Sequence, residues 1–257
     1  MSFKYYELKI EFQGSKYLGW QIQKDFNPTV QGTLNSCLEK IFKSKNIQTV
    51  GSGRTDTRVH SLGHIIKLKA PFQIENLALK KGLNSLLPID IRVLSVSDCL
   101  EDFRPTNDAL KKEYIYLFTN NDTTSAFQNN FIVNNRFELD SKKMEDACKL
   151  FIGEHDFSNF YCFGSPVNSL KRTIFECDIE FFDMKFHGIL PSHYRFRIVG
   201  NGFLKQMVRL IVGTIWEVGR GRVTLFELES ELKNPGLKKL GTTAPPDGLY
   251  KSRVWYD

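Results

Sequence analysis

The segment Phe203–Val218 constrains the fold of this 257-residue chain more than any other. It is apolar nearly all round, and a helix without a polar face is stable only when other elements enclose it. Its exceptions are Lys205, Gln206 and Arg209, and each needs a reason. Removing the partner of a buried charge costs roughly 3–5 kcal/mol, so a lone Arg209 inside such a helix must meet an anion. Glu217 and Glu180 are candidates for a purely structural pair. Asp56 is a third, and there the guanidinium would hold a carboxylate ionised. Spacing along the chain does not choose among them.

The enclosing elements are legible from periodicity. Tyr6, Leu8, Ile10 and Phe12 alternate with Glu7, Lys9 and Glu11, a half-buried strand. A loop rich in glycine and aromatics follows, Gly14–Gln21. Asn27-Pro28 reads as an N-cap with proline in the first helical position, ahead of an apolar stripe at Val30, Leu34, Cys37, Leu38 and Ile41. A short apolar run ends at Val50, a strand resumes near His64, a helix is expected around Leu77–Leu87, and a strand at Ile89–Val96. In the second half, Tyr114, Tyr116 and Phe118 alternate as a strand. Asp140 or Ser141 can cap a helix carrying Met144, Ala147, Cys148 and Phe151, which Gly153 stops. Phe175, Cys177, Ile179 and Phe181 are expected on one face of a long strand. Tyr194, Phe196 and Ile198 alternate with Arg195 and Arg197, and Thr224-x-x-Glu227 is a capping box. This order predicts an α+β fold. It divides into residues 1–107 and 108–257, with the boundary near Asn107-Asp108 after the Pro105 turn.

Charge and cysteine usage narrow the function. Lys and Arg exceed Asp and Glu by 35 to 29, a net +6. Between Met184 and Val223 seven basic residues (Lys185, Arg195, Arg197, Lys205, Arg209, Arg220, Arg222) face one acid, Glu217. A localised positive field suits a polyanion, and a solvated basic face has the same composition. The five cysteines are widely spaced with no C-x-x-C pair, so they read as reduced, buried small side chains. His60 and His64 stand four apart on what reads as a strand, where they do not converge on one ion as they would on a helix. No metal is expected. No apolar run reaches the roughly 18 residues of a membrane span, and the start of the chain has no signal-peptide core, so a soluble cytoplasmic protein is expected.

Gly51-Ser52-Gly53-Arg54-Thr55-Asp56 fails both the P-loop and the dinucleotide G-x-G-x-x-G patterns. What remains is a flexible turn between strands that presents a carboxylate beside an arginine. Taken by itself, that is also the pattern of a surface ion pair.

With Val59-His60 added, this stretch resembles the catalytic signature of the tRNA pseudouridine synthase A (TruA) family. The resemblance runs along most of the chain: Gly14-Ser15-Lys16-Tyr17-x-Gly19-Trp20-Gln21, Val30-Gln31, Asn84-x-Leu86-Leu87-Pro88-x-Asp90-Ile91, Lys112-x-Tyr114-x-Tyr116, Gly153-x-His155-Asp156-Phe157-x-x-Phe160, Phe203-x-x-x-Met207-Val208-Arg209-x-Ile211-Val212-Gly213 and Gly248-Leu249-Tyr250. The resemblance implies two ferredoxin-like halves forming an extended mixed or antiparallel sheet, with a central active-site cleft. It implies an isomerase that detaches uracil from ribose, rotates it and rejoins it through carbon, at positions 38–40 of the tRNA anticodon stem-loop. The partners implied are tRNA and a second copy of the chain in a homodimer. No electrons or phosphates are exchanged, so no cofactor is implied. Asp56 would act on the sugar as nucleophile or as base, Arg209 would be its ion-pair partner, Arg54 would fill the space left by the flipped base, and Tyr114 would stack on the uracil. The competing readings are a non-catalytic RNA-binding module on the same fold and a small-molecule hydrolase using Asp56. The second lacks another well-placed acid or base.

Two departures from the family pattern stand out. A small residue and then glycine usually follow the aspartate, whereas this chain has Thr57-Arg58. If that glycine adopts a positive φ, Arg58 either strains the loop or marks a different backbone path; its guanidinium would also suit a phosphate. In Phe103-Arg104-Pro105-Thr106 the arginine stands two residues earlier than the family tends to place it.

Overall fold

The alternation at Tyr6, Leu8, Ile10 and Phe12 becomes strand β1 (Lys4–Phe12), all four side chains being buried. A computed structural model describes residues 3–23, 28–120, 125–162, 164, 167–183, 191–236 and 239–257. The chain is α+β and divides into two units: Met1–Leu110 with Tyr250–Asp257, and Lys111–Leu249.

In the first unit the elements after β1 are α1 (Val30–Phe42), β2 (Gln48–Gly51), β3 (His60–Ala70), α2 (Asn76–Leu86) and β4 (Ile91–Asp98). The sheet order is β4–β1–β3, with β1 antiparallel to both neighbours and β2 antiparallel to β3. The inward side chains of β1 meet Val30, Leu34, Leu38 and Phe42 of α1 and Leu79 and Leu83 of α2 in one buried cluster. Each such side chain contributes about 1.5–3 kcal/mol by leaving water.

The second unit runs β5 (Lys111–Thr119), β6 (Val133–Asn134), α3 (Ser141–Leu150), β7 (Gly153–Asp156), β8 (Lys171–Phe182), β9 (His193–Gly200), α4 (Met207–Gly219) and α5 (Leu225–Lys233). Its sheet order is β5–β9–β8–β7, antiparallel throughout, with β6 parallel to β5. Eleven of the thirteen residues of α4 are buried, so the enclosed helix is present. Asp140 caps α3 through the Lys143 amide, and Thr224 and Glu227 form the reciprocal capping box of α5.

Several local expectations are corrected. Asn27 lies outside the described residues, and the N-cap of α1 is Thr29, whose Oγ1 accepts from the Gly32 amide at 3.1 Å. The Pro28 carbonyl instead accepts from the Leu18 amide. Helix α4 begins at Met207, after Gln206 in a left-handed conformation (φ 61°), so Lys205 and Gln206 are not interruptions within it. Only Arg209 is. Strand β8 does not keep one apolar face: its register with β9 shifts between Ile174 and Glu176. The extra residue exposes Phe175 and Glu176 together, and Ile174, Cys177 and Ile179 are the buried side chains. The last strand, β10 (Leu249–Trp255), pairs in parallel with β3 at Tyr250–His60 and Lys251–Ser61, so from Tyr250 onward the chain belongs to the first unit. The sequence reading placed those residues with the second half, because a returning strand carries no local mark of its pairing partner.

Candidate active site

Asp56 stands on the connection from β2 to β3. The Ser52 amide donates to the Ile65 carbonyl at 2.8 Å, and the Ile65 amide returns a bond to Ser52 Oγ at 3.2 Å, so the strands stay joined up to the turn. Gly53 then takes a φ of +129°, a region L side chains rarely enter. Arg54 is exposed, Thr55 buried and Asp56 half-buried. The Val59 amide closes a turn onto the Asp56 carbonyl at 3.2 Å. Arg58 within that turn has a φ of +67°, so of the two alternatives the backbone takes the strained one.

A second loop cradles the first. The Trp20 amide donates to the Thr55 carbonyl at 3.4 Å, and the Arg58 amide donates to the Tyr17 carbonyl at 3.1 Å. The approach is close enough that a Cβ on Gly19 would lie 2.2 Å from the Thr55 oxygen, and one on Gly14 would lie 2.1 Å from the Val59 oxygen. Those glycines are where they are because backbone meets backbone. The other motifs brace the cradle. The Gly19 and Trp20 carbonyls accept the Val30 and Gln31 amides, and Gln31 Nε2 donates to the Thr49 carbonyl at 2.9 Å. The Tyr17 hydroxyl donates to Asp90 at 2.7 Å. Burial, with the Asp90 carboxylate beside it, pushes the Tyr17 phenol well up.

The second unit carries Tyr114 and Arg209. Tyr114, half-buried on β5, is paired with Ile198 of β9, and its ring meets Phe203 edge-on at 5.1 Å. Arg209 is half-buried; its Nε donates to the Ala244 carbonyl at 2.7 Å, while the Ala244 amide donates to the Arg209 carbonyl at 3.1 Å. Burial raises the Tyr116 phenol far above its usual range, opposed by the positive charge of Arg209 nearby. Glu217 and Glu180, the structural alternatives for Arg209, bond Arg220 at 2.9 Å and Arg195 at 2.7 Å. On β5, burial and then the Arg172 charge lower the Lys112 ammonium below its usual range.

The basic stretch does not read as it did along the chain. Lys185 lies outside the described residues. Arg197 bonds Glu113 and Glu176 at 2.7 Å and Asp178 at 3.1 Å; Arg195 bonds Glu180. Arg220 and Arg222 both approach Glu217. Acids on β5 and β8, outside the counted window, neutralise the β9 arginines.

Sequence reasoning missed Lys251, His64 and Ser52, all fully buried beneath the Asp56 loop. A lysine in a short strand between Tyr250 and Ser252 carries no signal of burial. Among the described residues no three His, Cys, Asp or Glu side chains are grouped to hold a metal ion, and no helix is long and apolar enough to cross a membrane.

Comparison with known proteins defines the class first: the family described as tRNA pseudouridine synthase matches residues 147–257. The chain is 37% identical over 249 residues to tRNA pseudouridine synthase A of Caldicellulosiruptor saccharolyticus, covering 97% of this chain and 98% of that protein. Proteins of the same name from Thermodesulfovibrio yellowstonii and Listeria welshimeri are each 34% identical, over 97% and 98% of this chain and 98% and 99% of theirs. This chain belongs to the tRNA pseudouridine synthase A family.

Proposed function

We propose that this chain is the enzyme that isomerises uridine to pseudouridine in the anticodon stem-loop of tRNA, at positions 38–40. The observation that carries the reading is Asp56: a half-buried carboxylate on a turn locked from behind, in a chain matched over nearly its whole length by proteins named tRNA pseudouridine synthase A. The reaction breaks the bond between the sugar C1′ and uracil N1 and forms one from C1′ to uracil C5. The C5 proton leaves and N1 takes one up, so the product is an isomer. Asp56 acts on the sugar, as nucleophile or as base. Arg209 is its ion-pair partner. Tyr114 stacks on the uracil, and exposed Arg54 fills the space the base vacates, offsetting the few kcal/mol of unstacking. The enzyme works as a homodimer in the cytoplasm.

The test is Asp56→Asn, assayed by pseudouridine formation in tRNA transcripts and by tRNA binding. The variant is expected to fold and bind tRNA while forming no pseudouridine. Activity within about tenfold of the parent, about 1.4 kcal/mol of barrier, overturns the assignment; retained binding with no activity in the parent itself favours the non-catalytic module.

A further inference from the structure

Beneath the Asp56 loop lies a buried lysine that the mechanism above does not use. Lys251, on β10, is fully buried, as are Ser52 and His64. Its Nζ donates to the Ser52 carbonyl at 3.0 Å, to Ser52 Oγ at 2.5 Å and to His64 Nδ1 at 3.2 Å. These acceptors match the three protons of an ammonium group. The lysine backbone is anchored as well, its carbonyl accepting from Ser61 Oγ at 2.9 Å beside the parallel pairing of β10 with β3.

Both acceptors are themselves held. The His64 ring packs on Trp20 at 4.3 Å and edge-on to Phe12 at 5.9 Å. With Nδ1 accepting, the ring proton of neutral His64 sits on Nε2. Ser52 Oγ also takes the Ile65 amide, and the Ser52 amide donates to the Ile65 carbonyl at 2.8 Å. Thr106 Oγ1 donates to the Gly51 carbonyl at 2.9 Å. The backbone at Gly51 and Ser52 is therefore fixed from three directions, four residues ahead of Asp56. Beyond it comes Gly53, at a φ of +129° that an L side chain rarely adopts.

Burying an ammonium is costly, and an aliphatic side chain would fill the same volume without the cost. What the charge adds is direction: two of its three bonds go to one residue, at the point where strand becomes loop. We infer that Lys251 is a positioning residue for the reaction proposed above, fastening Ser52 so that the loop delivers Asp56 to one place. The inference rests on that functional reading. Displacements of about 1 Å in a reacting group cost on the order of a hundredfold in rate, so a fastening of this kind acts on turnover rather than on tRNA affinity.

The experiment uses the full chain and tRNA transcript, measuring the single-turnover rate at saturating tRNA, the Kd for tRNA, and thermal melting. Lys251→Met is expected to slow turnover about 10- to 100-fold with the Kd within about twofold. Adding Ser52→Ala to Lys251→Met is expected to slow it by less than Ser52→Ala does alone, since the bond from Lys251 to Ser52 Oγ is already gone. A folded Lys251→Met variant turning over within twofold of the parent overturns the inference, as does full additivity of the two substitutions. If Lys251→Met does not fold, Ser52→Ala and His64→Gln replace it: slowing of either by about threefold or more at unchanged Kd supports the inference, and parental rates in both overturn it. Asp56→Asn in the same assay separates the two levels. An active Asp56→Asn breaks the functional reading itself, whereas an inactive Asp56→Asn beside an unimpaired Lys251→Met breaks only the role of Lys251.

Discussion

In the first unit Asp56 and Arg54 stand on a loop whose course is set by another loop pressed against it; in the second, Tyr114 and Arg209 stand on a strand and a helix. The loop is located by backbone contacts that leave no room for a Cβ at Gly14 or Gly19. The strand and helix are located by ladder bonds with β9 and by burial of α4. Loop-borne groups are therefore vulnerable to substitutions that change the backbone, and element-borne groups to those that change packing or ion pairing. The apolar α4 needs enclosure and carries Arg209 in with it, whereas the loop leaves the Asp56 carboxylate partly open to solvent.

The largest expected effect breaks the backbone side of this contrast. Gly19→Ala puts a Cβ 2.2 Å from the Thr55 oxygen at a φ of +84°. Strain and overlap together are expected to cost about 3 kcal/mol, with activity falling alongside, as read by urea unfolding and turnover. A parental melting curve would show that the two loops are not held this closely.

The next tests the side-chain half. Arg197 bonds three carboxylates and is only 24% exposed. Arg197→Gln is expected to lower stability by about 2 kcal/mol, within the range for bonds to charged groups, while leaving tRNA affinity and its salt dependence unchanged. A shallower salt slope at parental stability would instead make β9 part of the RNA surface.

A smaller effect runs the other way. Arg58→Gly removes a left-handed residue from the Asp56 loop and is expected to stabilise the fold by about 1 kcal/mol, measured by thermal melting. No gain would mean that contacts of the Arg58 side chain offset the strain.

The smallest concerns the cap of α3. The Lys143 backbone amide, and its ammonium at 3.6 Å, hold the Asp140 carboxyl below its usual range. A depressed folded-state pKa contributes stability above the unfolded value near 4, and that stability is lost as pH falls through the folded value. Asp140→Asn keeps the cap geometry without the charge, so its deficit against the parent at pH 7 is expected to shrink as the pH falls below the unfolded value. A deficit unchanged with pH would assign the effect to geometry.

Much of this was readable in one dimension. The alternation of β1, the stripe of α1, the caps at Asp140 and Thr224 and the enclosed α4 are all set within about ten residues, where period and capping chemistry act. The Gly-Arg-Thr-Asp turn was visible as a turn, and its resemblance to the family carried the functional reading. The β8 bulge was not visible, because an extra residue opposite β9 leaves the apolar pattern of β8 unchanged on paper. Nor was the neutralisation of Arg195 and Arg197, since their acids lie on other strands.

The sequence by itself determined the kinds of element, the caps at Asp140 and Thr224 and the candidate chemistry of Asp56, because those depend on neighbours along the chain. Tertiary structure alone decided that β10 returns beside β3, that Gly14 and Gly19 lie against the Asp56 loop, and that Lys251 reaches Ser52 across 199 positions. Such contacts depend on which strands pair, and strand pairing is a global minimum over the whole chain that no local period encodes.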